Sequence, residues 1–111
     1  MEKTQTIAAL AALAQENRLD VFRLLVQAGR DGLAAGAVAE KLSIAPNTLS
    51  FHLDRLRTAG LISVKREGRS LIYAARFETM NGLLAYLTEN CCGGNPCSPA
   101  SACSPSREKQ S

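Results

Sequence analysis

Ala45-Pro46-Asn47-Thr48-Leu49-Ser50-Phe51-His52-Leu53-Asp54-Arg55-Leu56-Arg57-Thr58-Ala59-Gly60-Leu61-Ile62 is the stretch on which the fold turns. Pro46 suits the first turn of a helix, where its missing N–H would have no intrahelical partner anyway. Gly60 suits the position just past the end. On a wheel of about 100° per residue, Leu49, Leu53 and Leu56 gather on one face. Asn47, Ser50, Phe51, Asp54 and Thr58 fall opposite, with Thr48 and Arg55 flanking. Ser, Thr and Asn are side chains that reach base edges and phosphates. Phe51 has two readings: it lies against a thymine methyl in a major groove, or it packs under a neighbouring element. His52, the single histidine of the chain, sits at the edge of the leucine stripe and reads as a boundary residue that touches phosphate.

Upstream, Ile7, Leu10, Ala11 and Ala14 recur at helical spacing, so residues 4–15 are expected to form an amphipathic helix. Asn17 is the expected N-cap of a second helix carrying Val21, Phe22, Leu24, Leu25 and Val26, with Gly29 near its end. Asp31-Gly32 reads as a turn, and a short third helix follows over about residues 34–42, with Val38 and Leu42 inward. Two short helices joined by a tight turn, the second basic, form a helix-turn-helix pattern. Beyond Gly60 the period changes from helical to alternating. Residues 61–66 and 71–75 read as two strands around a Gly-containing hairpin loop, a wing behind a recognition helix. Residues 77–89 return to helix, with Phe77, Met80, Leu83, Leu84 and Leu87 on one side. The fold class expected is mainly α (α+β). A winged helix-turn-helix domain occupies residues 1–90, and a cysteine-containing segment with a flexible tail occupies 91–111.

The charge agrees with that pattern. The chain of 111 residues carries a net +3. Between Asn47 and Arg76 six basic residues stand against two acidic ones, net +4, which leaves the remainder at −1. A local basic patch on a nearly neutral chain is the electrostatic footprint of a nucleic-acid binder. The expected contacts are Asn47, Thr48, Ser50, Phe51, His52, Arg55 and Arg57 on the helix and Lys65, Arg66 and Arg69 on the wing. Ser50 and Thr48 are assigned to base edges, and the arginines to phosphates. Lys3 and the apolar run after it faintly resemble a signal peptide, but the run is too short and leads directly into polar Gln15-Glu16-Asn17-Arg18. A cytoplasmic location is expected. No nucleophile–base pair and no phosphate-binding loop is present, so the chain is read as non-enzymatic.

All four cysteines fall in the last quarter: Cys91, Cys92, Cys97 and Cys103. In a reducing compartment such a cluster is more often a ligand set than a disulfide set. Thiolates select soft ions. A structural zinc would want four sulfurs, with Cys103 as the fourth, but the adjacent Cys91-Cys92 pair lacks the usual Cys-x-x-Cys knuckle. Clustered thiols also suit a redox switch.

The recognition segment, with its Ser50-Phe51-His52-Leu53, Leu56 and Ala59-Gly60-Leu61, resembles the recognition helix of the ArsR/SmtB family of bacterial metalloregulatory repressors. The stretch Lys65-Arg66-Glu67-Gly68-Arg69-Ser70-Leu71-Ile72-Tyr73 is similar to that family's wing. The resemblance covers roughly residues 5–90. It implies a homodimer through the first and last helices, binding of an inverted-repeat DNA operator, and release when an inducer binds. Two of the family's ligand positions are missing here: a Cys-x-Cys pair at the recognition helix, and Asp and His on the last helix. The remaining cluster resembles arsenic-responsive members with a site at the end of that helix. The resemblance therefore implies trivalent arsenic (arsenite) or antimony bound by Cys91, Cys92 and Cys97, with Cys103 dispensable. The alternatives are a repressor that senses thiol oxidation or another soft metal (zinc, cadmium or lead), and a cytosolic metal-binding module that binds no DNA.

Overall fold

A computed structural model of the chain describes residues 1–94. Five α-helices are described: α1 (Lys3–Leu13), α2 (Glu16–Ala28), α3 (Ala35–Leu42), α4 (Pro46–Thr58) and α5 (Phe77–Leu87). Three strands are described with them, β1 (Leu33–Ala34), β2 (Ile62–Glu67) and β3 (Ser70–Ala75), and a short 3-10 turn spans Cys91–Gly94. The sheet is antiparallel in the order β1-β3-β2. None of the described helices is long and apolar enough to cross a membrane.

The core is built from what the helices turn inward. Val21 and Leu25 of α2, Val38 of α3, Leu49 and Leu56 of α4, and Leu61 and Ile62 at the start of the wing are essentially inaccessible to solvent. The leucine stripe of α4 thus anchors the recognition helix and leaves its polar face outward. The β2–β3 hairpin pairs Ile62 with Ala75 at its base and Glu67 with Ser70 at its tip. Between these last two, Gly68 has φ +63, suiting a tight two-residue hairpin turn that wants glycine first.

Several boundaries differ from the sequence expectation, each for a local reason. Helix α2 begins two residues early, because Gln15 rather than Asn17 caps it: the Arg18 backbone N–H donates to Gln15 Oε1 at 2.9 Å. The strand β1 was not expected. It pairs Leu33 with Tyr73 and Ala34 with Ile72, so the wing is the outer part of a three-stranded sheet rather than a two-stranded hairpin. The turn before β1 runs against β3. Gly32 has φ +71, and a Cβ there would collide with the Tyr73 carbonyl.

The first helix turns its small residues inward and leaves the expected apolar stripe outward. Thr6, Ala9 and Ala12 are its buried residues. Its larger apolar side chains point out: Ile7 is 59% exposed and Leu10 42%. On α5, Leu83 is buried while Leu84 and Leu87 remain largely exposed. Small alanines let α1 approach the core closely, and its bulkier residues stay available on the far side.

Candidate nucleic-acid interface

The polar face of α4 stands free of the core. Asn47, Thr48, Ser50, Phe51, Asp54, Arg55, Arg57 and Thr58 are all exposed, while Leu49, Leu53 and Leu56 are buried. Asn47 Oδ1 accepts from the Thr48 backbone N–H at 3.0 Å, which orients that side chain in the first helical turn. Phe51 is 52% exposed, and the Arg55 guanidinium lies over its ring at 5.0 Å from the centroid. A large ring on the outer face, backed by a cation, supplies both apolar contact and positive charge on one helical turn.

His52 departs from the expectation. Its ring is 6% exposed, so it does not reach the surface and is removed from the set of phosphate-contacting residues. The reason is its neighbours. Burial, and secondarily the charge of Arg18 at the start of α2, hold its pKa below the ordinary value. Its Nδ1 has no hydrogen-bond partner among the described residues. His52 also meets the Phe51 ring edge-on, with centroids 5.9 Å apart.

The arginines and wing residues divide into paired and unpaired groups. Arg57 Nη2 donates to Asp54 Oδ1 at 2.8 Å, with both side chains at least half exposed. Lys65 meets Glu67 at 3.1 Å across one strand alternation. Exposed pairs of this kind contribute little to stability and can exchange partners. Arg55, Arg66 and Arg69 form no ion pair among the described residues. Unpaired positive charge is therefore present on the outer face of α4 and at the wing, the two elements a winged helix presents to a duplex.

Arg18 carried no signal in the sequence reading, yet it ties two elements together. Its Nε donates to the Ala12 carbonyl at 2.8 Å, closing one of the open carbonyls at the end of α1. A contact six residues apart across a helix break has no periodicity to betray it.

After α5 the backbone turns sharply. Asn90 and Cys92 have φ near +60, and the Cys91 N–H donates to the Thr88 carbonyl at 2.9 Å. Cys91 is half-buried and Cys92 exposed. Cys97 and Cys103 lie outside the described residues, so the third sulfur of the expected site has no geometry here.

A helix-turn-helix domain family matches residues 13–65, a span from the end of α1 into β2. The chain is 36% identical over 73 residues to the HTH-type transcriptional regulator YceK of Bacillus subtilis, covering 66% of this chain and 72% of the relative. Among solved structures it is similar to an ArsR-like transcriptional regulator from Rhodococcus, with a TM-score of 0.68 and 26% identity over 78% of each chain. It is also similar to a winged helix-turn-helix DNA-binding domain from Mycobacterium bovis described as homodimeric. The TM-score there is 0.64 and the identity 26%, over 78% of this chain and 81% of that one.

Proposed function

The chain belongs to the ArsR-type helix-turn-helix transcriptional regulators, and on that premise we propose that it is a repressor released from its operator by trivalent arsenic or antimony. DNA binding goes with the family. Repression, the identity of the inducer and the residues that carry each are our reading.

The reading of the DNA face rests on exposure and charge. Thr48 and Ser50 meet base edges in the major groove, with Asn47 and Phe51 beside them. Arg55, Arg57, Lys65, Arg66 and Arg69 meet phosphates on either side. The protein binds as a homodimer on an inverted repeat. Support comes from Ile7, Leu10, Leu84 and Leu87, which are 38–59% exposed on α1 and α5 and would otherwise cost free energy in water.

The observation that carries the inducer reading is the position of the cysteines. Cys91 and Cys92 stand four and five residues past Leu87, where α5 ends. Trivalent arsenic is thiophilic, and Cys91, Cys92 and Cys97 offer three sulfurs. Drawing the segment together would act on the end of α5 and, through the dimer face, on the spacing of the two α4 helices. The test is a gel shift on the protein's own promoter with arsenite titrated in. Wild type should be released, and Cys91→Ser or Cys97→Ser should bind DNA and stay bound. Release by peroxide and recovery with dithiothreitol, with no response to arsenite, would assign the cysteines to redox sensing instead.

A further inference from the structure

Between α1 and α4 lies an open cleft of about 450 Å³, a volume in the range of small-molecule sites. Its walls combine three features that the DNA reading does not require together. Ala8, Ala11 and Ala12 on α1 and Ala59 after α4 form a floor of small side chains. Phe51 offers a half-exposed ring. Arg18 and Arg55 line the cleft, and no acidic residue does.

The two arginines are placed differently. Arg18 is pinned by its Nε bond to the Ala12 carbonyl, which fixes the guanidinium in the wall of the cleft with its terminal nitrogens still able to donate. Arg55 lies over the Phe51 ring. Neither has a carboxylate partner among the described residues. Two guanidinium groups beside an aromatic ring and an apolar floor match a flat ring bearing a carboxylate: the anion takes the forked donors, and the ring packs against the open part of Phe51 and the alanine floor. Ile7 and Leu10, the α1 residues assigned above to the dimer face, do not line the cleft, although Ala11 stands only about 40° round the helix from Ile7.

We propose that this cleft is a binding site for a small aromatic carboxylate, and that its occupant competes with DNA. The competition follows because Phe51 and Arg55 belong to the outer face of the recognition helix. That second half rests on the DNA reading; the binding half does not.

The probe is 1-naphthoate, titrated calorimetrically into the full chain. Saturable binding is expected, weaker by at least about tenfold for the uncharged 1-naphthalenemethanol, because charge-assisted hydrogen bonds are lost. Arg55→Ala is exposed and should fold; it should weaken naphthoate binding by a similar factor. Ala11→Leu should block the cleft, and Leu71→Ile, on β3 and outside the cleft lining, should bind as wild type. Absence of saturable binding to wild type, or equal affinity for the alcohol and in Arg55→Ala, would overturn the site. In a second arm, naphthoate is titrated against a preformed protein–promoter complex. Binding to the protein without any loss of DNA affinity would leave the site standing and overturn the competition; failure of the complex to form at all would count against the DNA reading instead.

Discussion

At neutral pH the His52 imidazole is held uncharged, first by burial and second by the charge of Arg18. The unfolded chain would take up a proton as pH falls through about 6.5, while the folded chain resists until lower pH. The contribution to stability is therefore complete above about 6.5 and is lost as pH drops from there through the folded value. Urea midpoints at pH 7.5 and 5.5 should show a loss in wild type that is smaller in His52→Leu, and an equal loss in both would sink the argument. The same substitution removes a buried Nδ1 with no partner among the described residues, so it should cost little at pH 7.5 despite the change of chemistry. His52 also marks how far a helix wheel can be read. Its place at the edge of the leucine stripe was legible in the sequence, but its burial was not. Its pKa also answers to Arg18, which precedes it by more than thirty positions, and a wheel holds no information about what lies beyond its own helix.

Helix α4 was legible end to end because several local signals agree on it: proline at its first position, three leucines at helical spacing, and Gly60 after it. The wing was legible for the same reason, with alternation on both sides of a glycine. The strand β1 was not, since two residues cannot display a period and its pairing partner Tyr73 lies forty positions on. Two outcomes follow for these elements. Gly32→Ala places a Cβ against the Tyr73 carbonyl at a positive φ, so it should destabilise the fold by more than about 1 kcal/mol, read as a lower urea midpoint. On the wing, Arg69 has no ion-pair partner among the described residues. Arg69→Ala should weaken binding to all DNA sequences alike and reduce the magnitude of the salt slope by about 1. Arg57 starts from a pair with Asp54, so Asp54→Ala should tighten nonspecific binding. An unchanged salt slope in Arg69→Ala would take that residue off the phosphate-contacting set.

For the molecule as a whole, the deciding surface is the one the single chain leaves uncovered. The spacing of Ile7 and Leu10 announced an apolar stripe, but periodicity cannot say whether a stripe faces its own core or a second copy. The alanines of α1 fill the first role, and Ile7, Leu10, Leu84 and Leu87 remain exposed. Placing glutamates at Leu10 and Leu87 together should convert the protein to a monomer in sedimentation without unfolding it. Operator affinity should fall steeply, because one recognition helix would then bind without its two-fold mate. A double variant that sediments as a dimer would move the interface elsewhere. Induction would act through this same surface. If the cysteine segment acts through α5, inducer and operator oppose each other through a coupling free energy, typically about 1–3 kcal/mol and equal in both directions. Operator DNA should accordingly weaken arsenite binding by the factor by which arsenite weakens operator binding. Cys92→Ser should retain repression and lose the response, while Cys103→Ser should keep both. A Cys91→Ser, Cys92→Ser double variant that still leaves its operator on arsenite addition would place the inducer site outside this segment, whatever the state of the dimer.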